Sequence, residues 1–530
     1  MKRVLALLLA VVLAAGLFSG CRKSGVSALY FAAEGTAGSF DPQVAARGAV
    51  SIVVRNTFEG LVMLDADGKP QPAAAAGWTV TDGGRTYTFS LRRDAKWHVS
   101  DTVRGGMGEK LPEDFAPNVT SADFVFALQR AVDPNTGAAD AALLMNIEGA
   151  AAIASGKASP GTLGVKALGE YTLEIRLEKP EPGFLETLTQ PLCMPCNRTF
   201  FEATGGRYGL LMKYIISNGP FYMTRFEDTS FRLVRDNGYT GPFKAKTDVI
   251  WVYSGISGDA AAQQLSDRDL NGAYIAGAAD LQGKVRGSET ISADDMLRGV
   301  LMNCADDTLK NYNLRKALVT AANVTTMCNV AGKAPAEAIC PLSLSPKTPF
   351  SAGDNAAVAQ KLLQSALTEL QADDAGLTLL CEEQYDASLR YLLQTWQIAF
   401  GVKCSVSLKT VTAEELESRV ASGDYQMAFY PVQASVYSPA AYFAQFSKAS
   451  PDSLCSLDSR DYDAAVDALR YCDTSALDTA MRKAEKLLIS NAVFLPVWNE
   501  GSGMICAQGV KGVILLSGND RLYLYNAERS

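Results

Sequence analysis

The chain contains one histidine, His98, among 530 residues. Histidine supplies the base of most serine and cysteine hydrolases and many of the ligands of zinc enzymes, so a single histidine leaves little for either chemistry. The motifs G-x-S-x-G, H-E-x-x-H and G-x-x-x-x-G-K-S/T do not occur. We therefore expect no enzymatic activity, no metal and no cofactor, and we interpret His98 as a structural residue.

Adjacent acidic pairs occur at Asp294-Asp295, Asp306-Asp307, Asp373-Asp374 and Glu382-Glu383, among other places. Neighbouring side chains point in different directions, whereas the two carboxylates of a glycosidase face each other across a cleft. The pairs are therefore interpreted as solvated charges.

Cys193 and Cys196 form the motif C-M-P-C. A motif of this spacing occurs in redox pairs, but no second C-x-x-C at zinc-ribbon spacing accompanies it. A redox pair, a structural disulfide and two unreactive thiols all remain open at this point.

The charge balance argues against a nucleic-acid partner. Lys and Arg number 49 against 57 Asp and Glu, which gives a net charge of −8, and no basic run of the kind that follows phosphates is present. At about 150 residues per domain, the length suggests three to four domain-sized units.

Residues 1–21, MKRVLALLLAVVLAAGLFSGC, combine two positive charges, an apolar stretch and a small pair before Cys21. This pattern is typical of a secretory signal. Its end resembles a bacterial lipobox, which predicts removal of residues 1–20 and a lipid anchor on Cys21. We expect the protein on the outer face of the cytoplasmic membrane, in the periplasmic or extracellular space.

The first half of the chain predicts hairpins. Residues 77–98 alternate apolar and polar side chains around an Asp-Gly-Gly turn, and residues 163–177 and 221–235 do the same around their own turns. Residues 100–118 are expected to form a loop, and Thr120 is expected to cap a helix that begins before Phe124.

After about residue 250 helical and strand patterns alternate, which indicates an α/β lobe. The predicted elements are helices at 313–323, 355–371, 387–400, 413–422 and 479–490, and strands at 377–381, 402–408, 426–431 and 493–498. No internal repeat or flexible linker is evident.

Several segments match the pattern of one protein family. They are residues 40–72 with F-E-G-L, RTYTFSLRRDAKWH at 85–98, VTSADFVFALQRAVDPNTGA at 119–138, NGPFYMTRFE at 218–227, LRKALVTAAN at 314–323 and FLPVWN at 494–499. In this order they resemble the oligopeptide-binding family of extracytoplasmic solute-binding proteins of ABC importers. The similarity covers nearly all of the chain after the signal, with an extra piece at about 101–118.

The resemblance implies an α/β (mixed α+β), periplasmic-binding-protein-like clamp with two lobes, three domains and two hinge strands. The implied boundaries are domain I at 21–58, 176–250 and 490–530, domain II at 59–175, and domain III, the second lobe, at 251–489. It further implies a monomer that captures oligopeptides or related small solutes and delivers them to the permease subunits of an ABC transporter. A surface peptide receptor without transport, or a family member with a non-peptide ligand, remains an alternative.

The resemblance also implies ligand-binding positions in the first lobe. The gapless match over 41–61 places Ala46, Arg47 and Gly48 on the edge that faces the ligand backbone. Arg47 is either a solvated surface arginine or a cleft arginine that meets a ligand carboxylate or carbonyl.

In the second lobe the resemblance implies Tyr385, Gln433, Ser435 and Tyr437 as cleft residues. In peptide-binding members an aspartate at the position of Ser435 pairs with the free amino group of the ligand. A hydroxyl cannot make that charge-assisted bond. Either another acid replaces the aspartate, or the ligand lacks a free amine, or the ligand is not an ordinary peptide.

Overall fold

The structure is a computed structural model that describes residues 26–530, apart from residues 34, 36–37, 46–47, 107–110, 139, 257, 277–283, 294, 342–343, 345–347, 351–352, 354, 435–438, 451–452, 473–474 and 517–520. The signal segment and Cys21 therefore lie outside the described residues. Among the helices that are described, none is long and apolar enough to cross a membrane.

The described strands are numbered in chain order. They are β1 Ala28–Ala33, β2 Val62–Leu64, β3 Pro70–Pro72, β4 Ala75–Thr81, β5 Thr86–Leu91, β6 Val165–Gly169, β7 Thr172–Arg176, β8 Phe221–Glu227, β9 Ser230–Arg235, β10 Val249–Ser254, β11 Gly272–Ala276, β12 Glu289–Ser292, β13 Met296–Met302, β14 Ala375–Glu382, β15 Cys404–Val411, β16 Met427–Gln433, β17 Phe494–Glu500, β18 Ser502–Cys506, β19 Val510–Lys511, β20 Ile514–Leu516, β21 Arg521–Tyr523 and β22 Glu528–Arg529.

The described α-helices are α1 Ala49–Thr57, α2 Asp101–Gly106, α3 Ser121–Val132, α4 Ala150–Ala154, α5 Phe184–Thr187, α6 Arg198–Ala203, α7 Gly258–Ser266, α8 Tyr312–Ala321, α9 Thr325–Val330, α10 Ala356–Leu370, α11 Asp386–Phe400, α12 Ala413–Ser422, α13 Pro439–Ala444, α14 Arg460–Tyr471 and α15 Leu477–Asn491. Short 3₁₀ turns connect several of them, among them Glu383–Tyr385 between β14 and α11.

The first large sheet has seven described strands in the order β12-β18-β11-β1-β10-β9-β8. Strand β1 pairs in parallel with β10 and β11, while β18 runs antiparallel to β11 and β12. Strands β1, β10, β11 and β12 therefore all end at one edge of the sheet, which we call its carboxyl edge. Strand β18 begins at that same edge.

The second large sheet has five described strands in the order β15-β14-β16-β13-β17. Strand β14 is parallel to β15 and β16, and β13 is antiparallel to both of its neighbours, β16 and β17. Strands β14, β15, β16 and β17 thus end at one carboxyl edge, and β13 begins there.

Both faces of the second sheet are covered. Val300 and Met302 of β13 belong to one apolar core, and Leu297 and Leu301 belong to another on the opposite face. This alternation follows from the two-residue period of a strand. Because helices cover both faces, strands β13, β16 and β17 are mostly apolar, whereas the edge strand β15 alternates apolar and polar residues.

A smaller antiparallel sheet has the order β4-β5-β7-β6. Tyr87, Phe89 and Leu91 of β5 are buried, as their alternation in the sequence predicts. The three predicted hairpins are confirmed as β4–β5, β6–β7 and β8–β9. Thr120 caps α3 in a capping box with Asp123, which is also as predicted.

Two sequence predictions need correction. The expected loop at 100–118 contains helix α2, in which Val103 is fully buried. The segment 494–499, expected to return to the first lobe, forms β17 and pairs instead with β13 in the second sheet. Its apolar side chains complete the second-lobe cores, so the chain leaves this lobe only after residue 500.

The chain passes between the two large sheets at two adjacent places. Strand β12 leads through residues 293–295 into β13, and β17 leads through residue 501 into β18. Because β12 pairs with β18 and β13 pairs with β17, the two crossings lie side by side. By sheet membership the second lobe spans about residues 296–500, which differs from the expected 251–489 at both ends.

Gly299 tests the packing of the strand that enters the second lobe. A Cβ atom at this position would lie 2.3 Å from the carbonyl oxygen of Leu495 on β17, at the bulge where the β13–β17 register shifts. We expect Gly299→Ala to lower the free energy of unfolding of the second lobe by about 1–3 kcal/mol, measured by chemical or thermal denaturation.

The control is Gly376→Ala on β14, where a Cβ atom would meet nothing closer than the Ser405 hydroxyl at 3.9 Å. Equal stability of the two variants would contradict the tight β13–β17 contact.

Candidate functional site

The two carboxyl edges face each other. The chain leaves the carboxyl edge of one sheet and enters that of the other within three residues at 293–295 and within one residue at 501. In open α/β sheets, ligands bind outside the carboxyl ends of the strands. The space between these two edges is therefore the candidate binding cleft.

A charged cluster lies at the carboxyl edge of the second sheet, and we call it the Arg298 cluster. It consists of Arg298 near the start of β13, Glu382 at the end of β14, Glu500 at the end of β17, and Tyr385 in the turn after β14. These strands bring Arg298 together with Glu382, 84 positions away in sequence, and with Glu500, 202 positions away.

Arg298 connects the cluster. Its Nε donates a short hydrogen bond to Glu500, and its Nη1 lies 3.3 Å from Oε1 of Glu382. Its guanidinium carbon is 4.5 Å from the centre of the Tyr385 ring, and the Tyr385 hydroxyl donates to Glu500 Oε1 at 3.4 Å. The cluster carries two carboxylates and one guanidinium, so its formal net charge is negative.

Burial and charge act against each other in this cluster. Burial alone would lower the pKa of Arg298, but the charge of Glu500 and its hydrogen bond hold that pKa above its usual value. Burial and Glu500 raise the pKa of Tyr385 despite the opposing effect of Arg298, so its phenol stays protonated and able to donate. The Glu382 side chain keeps 20 % of its surface exposed.

Three aromatic rings pack together at the buried side of the cluster. The rings of Tyr385, Phe429 and Trp498 pack against one another with centroid distances of 5.2 to 5.9 Å. Phe429 and Trp498 are buried in the core of the second lobe. The position of Tyr385, and through it of Arg298, is thus fixed by packing rather than by surface contacts.

Of the described positions implied by the resemblance, Tyr385 and Gln433 lie at the carboxyl edge of the second sheet, and Gly48 lies at the start of α1. Tyr385 is in the Arg298 cluster, and Gln433 is the last residue of β16, opposite Met296, with its Nε2 3.4 Å from Oδ2 of Asp295. Gly48 precedes α1 with φ 72°, and its carbonyl accepts from the Ile52 N–H at 3.0 Å. Ala46, Arg47, Ser435 and Tyr437 lie outside the described residues, so their roles stay predictions.

The segment that leads to Gly48 is held by a buried arginine on α3. Arg130 donates to both carboxylate oxygens of Asp41, at 3.1 and 2.5 Å, and to Oε1 of Gln43 at 2.6 Å. Gln43 in turn donates to the carbonyl oxygens of Leu192 and Met194. These bonds fix residues 41–43 against the first lobe.

Sequence reasoning missed part of this edge. Arg298 and Glu500 carried no motif, and Glu382 was interpreted as a solvated charge, whereas it pairs with Arg298. Asp295 is also not solvated, because only 2 % of its surface is exposed. The available signal was a charged residue within or at the end of an apolar strand pattern, since such a residue needs a partner.

His98 lies away from the cleft. Its ring stacks on Tyr222, with a centroid distance of 3.7 Å, and its Nδ1 is 3.3 Å from Asp236. Tyr222 is at the start of β8 and Asp236 follows the end of β9, so both are at the edge of the first sheet opposite its carboxyl edge. A cavity of about 300 Å³ adjoins this histidine. The placement agrees with a structural role.

Cys193 and Cys196 are buried thiols. Burial raises the pKa of both, to about 12 for Cys196 despite the nearby Arg130, so neither thiolate forms near neutral pH. Of the three interpretations left open by the sequence, the structure favours unreactive thiols. Within the described ranges no three Cys, His, Asp or Glu side chains come together as a potential metal site.

Residues 69–453 match the family described as bacterial extracellular solute-binding proteins, family 5. The chain belongs to this family. It is 25% identical over 512 residues to the dipeptide-binding protein DppE of Bacillus subtilis, covering 93% of this chain and 90% of that protein. Members of the family are solute-binding proteins, and relatives of this chain are named as oligopeptide- or dipeptide-binding proteins.

Solved structures show the same fold. The pheromone receptor PrgZ matches with a TM-score of 0.74 and 25% identity over 95% of this chain and 100% of that one. OppA of Listeria monocytogenes bound to peptide matches with a TM-score of 0.73 and 23% identity over 96% and 99% of the two chains. The predicted mixed α/β fold of the solute-binding type is thereby confirmed.

Replacing Arg298 by methionine tests the cluster. The substitution leaves Glu382 and Glu500 partly buried without their cation, so we expect a loss of about 3–5 kcal/mol in the free energy of unfolding at pH 7. The loss should shrink at acidic pH, where protonation removes the uncompensated carboxylate charges. Urea unfolding at several pH values measures both effects.

Arg390→Met is the control, because Arg390 makes a surface ion pair with Asp386 and its side chain is 68% exposed. It should leave stability nearly unchanged. A pH-independent loss in the Arg298 variant would show that packing, rather than charge, explains its effect.

Proposed function

We propose that this protein captures a short peptide, or a related small solute, outside the cytoplasmic membrane and delivers it to the permease subunits of an ABC importer. The observation that carries the proposal is the pair of carboxyl edges facing each other across two adjacent crossings. A clamp of this kind closes when a ligand contacts both lobes at once. The proposed anchor is a lipid on Cys21.

Peptide ligands suit such a cleft. An extended peptide presents backbone N–H and C=O groups at regular intervals, so strand-like pairing gives affinity without reading side chains. Ordered water in the cleft accommodates different side chains. Relatives named as dipeptide- and oligopeptide-binding proteins support this ligand class.

The Arg298 cluster offers a substitute for the missing aspartate at Ser435. Glu382 is the more exposed of the two carboxylates in the cluster. Its contact with Arg298, at 3.3 Å, is longer than that of Glu500, which leaves Glu382 more available to bind a ligand group. We infer that Glu382 accepts the free amino group of the peptide. The negative charge of the cluster favours a cationic ligand group over an anionic one.

Glu382→Gln tests this role. We expect it to weaken binding of a free tripeptide by about tenfold or more, because a charge-assisted hydrogen bond is lost, while binding of the same peptide with an acetylated amino group should be unaffected. Isothermal titration calorimetry gives both affinities. The matched control is Glu383→Gln, a change at the adjacent exposed carboxylate.

If Glu382→Gln binds both forms of the peptide as the unmodified protein does, Glu382 is not the amine acceptor. Tight binding of the acetylated peptide by the unmodified protein would instead indicate a ligand without a free amine. Mass spectrometry of copurified ligands identifies a non-peptide cargo directly.

A contact between the lobes supports closure. The Lys179 ammonium lies 4.0 Å from the centre of the Tyr471 ring at the end of α14. Burial raises the pKa of Glu181, and the nearby charge of Arg470 offsets part of that rise. Lys179 and Glu181 follow β7, which pairs in the small sheet, and Tyr471 belongs to the second lobe. The contact therefore joins a segment of the first lobe to the second lobe, and we infer that it stabilises a closed arrangement.

Tyr471→Ala removes this contact. We expect the bound peptide to dissociate several times faster, with little change in its association rate, because the closed state loses a cation–π interaction. Stopped-flow fluorescence measures the two rates. Tyr391→Ala, at an exposed tyrosine of α11, is the control and should leave both rates unchanged.

A receptor role without transport is the second candidate, favoured by the likeness to the pheromone receptor PrgZ. Deleting the gene should abolish uptake of a labelled peptide that the protein binds, if it serves an importer. Binding in vitro with unchanged uptake in the deletion strain favours the receptor.

A further inference from the structure

Two cysteines about 150 residues apart meet in the second lobe. Cys304 follows β13, and Cys455 lies between α13 and α14. The N–H of Cys304 donates to the carbonyl oxygen of Cys455 at 2.8 Å, and the two thiols are close enough for each to shift the pKa of the other. Residues joined by a backbone hydrogen bond of this kind have Cα atoms about 5–6 Å apart, which is the separation that a disulfide requires.

The backbone on both sides of the pair is fixed. Next to Cys304, the Asn303 amide donates to the carbonyl oxygens of Gly423 and Tyr425 at 3.0 and 2.9 Å. Next to Cys455, the Leu454 N–H donates to Gln445 at 2.6 Å, and its carbonyl accepts from the hydroxyl of Tyr425. These bonds hold the two cysteines next to each other.

The two thiols differ in reactivity. Cys304 is partly exposed, and the hydrogen bond from Cys455, aided by the charge of Arg315, lowers its pKa in spite of burial. Cys455 is 1% exposed, and burial raises its pKa well above the usual value. Cys304 is thus the thiol that reacts first, because it is the more accessible and the more acidic of the two. Cys455 is the thiol that reacts second.

We propose that Cys304 and Cys455 form a disulfide when the protein meets a small-molecule disulfide outside the cytoplasm. The Cys304 thiolate attacks one sulfur of the oxidant R–S–S–R, forms a mixed disulfide and releases one thiolate R–S⁻. Cys455 then loses its proton, and its sulfur attacks Sγ of Cys304, which releases the second R–S⁻. The protein loses two thiol protons and two electrons, and the oxidant becomes two R–SH.

The bond ties the end of β13 to the segment that leads into α14. It closes a long loop, so it restricts the unfolded chain strongly and stabilises the second lobe. Family members act outside the cytoplasm, where disulfides persist. The two cysteines of the C-M-P-C motif differ from Cys304. Cys193 and Cys196 are buried, and their pKa values are raised rather than lowered.

The test uses the full chain, first reduced and then incubated with oxidised glutathione. After alkylation under denaturing conditions without reductant, digestion and mass spectrometry should show the peptides of Cys304 and Cys455 linked, while Cys193 and Cys196 carry the alkyl label. The oxidised protein should melt several degrees above the reduced protein. Reductant should remove that difference.

Variants separate the pair from the other cysteines. Cys455→Ser should abolish the link, leave Cys304 as a mixed disulfide with glutathione and remove the rise in melting temperature on oxidation, whereas Cys193→Ser with Cys196→Ser should keep the link. Complete labelling of both Cys304 and Cys455 in the oxidised, unsubstituted protein would overturn the proposal. Since that measurement needs no variant and no ligand, it is independent of the proposed transport role.

Discussion

Two neighbouring backbone crossings set the architecture. Strands β12 and β18 are hydrogen-bonded partners in the first sheet, and their continuations β13 and β17 are partners in the second. Because one connection is three residues long and the other a single residue, the sheets have no freedom to separate there. This forces the ends of their parallel strands to face one another. The cleft, its charged lining and the contact between Lys179 and Tyr471 all depend on that arrangement.

The Arg298 cluster shows how a charged group is accommodated at such an edge. Its guanidinium is nearly inaccessible, but two carboxylates, a phenol and the edge-to-face rings of Phe429 and Trp498 surround it. A buried charge needs partners of this kind, and satisfying them connects β13, β14 and β17. The same contacts that keep the sheet edge in place leave part of the Glu382 side chain exposed. In the proposed function, stability and recognition thus depend on one set of residues.

The sequence predicts elements whose determinants are local. The alternation of Tyr87, Phe89 and Leu91 specifies a hairpin strand, and Thr120 with Asp123 specifies a helix start, because neighbours in sequence decide both. The sequence does not predict which strands or side chains pair with each other when tertiary packing determines the pairing. The strand at 494–500 is apolar enough for either sheet, and nothing local joins Glu382 to Arg298 or Cys304 to Cys455. The spacing of the C-M-P-C motif suggests a redox pair, but burial makes its thiols unreactive.

The crossing strands are the last two at one side of each sheet, since β12 and β18 end one order and β13 and β17 the other. The lobes are therefore joined along one side only, which we call the spine. The remaining strands of each sheet extend away from it. At roughly 4.8 Å per strand, β8 lies roughly 29 Å from β12. A rotation of about 15° at the spine would carry β8 through roughly 8 Å. A small rotation thus widens the cleft strongly at the side farthest from the spine, while the two lobes stay in contact at the spine.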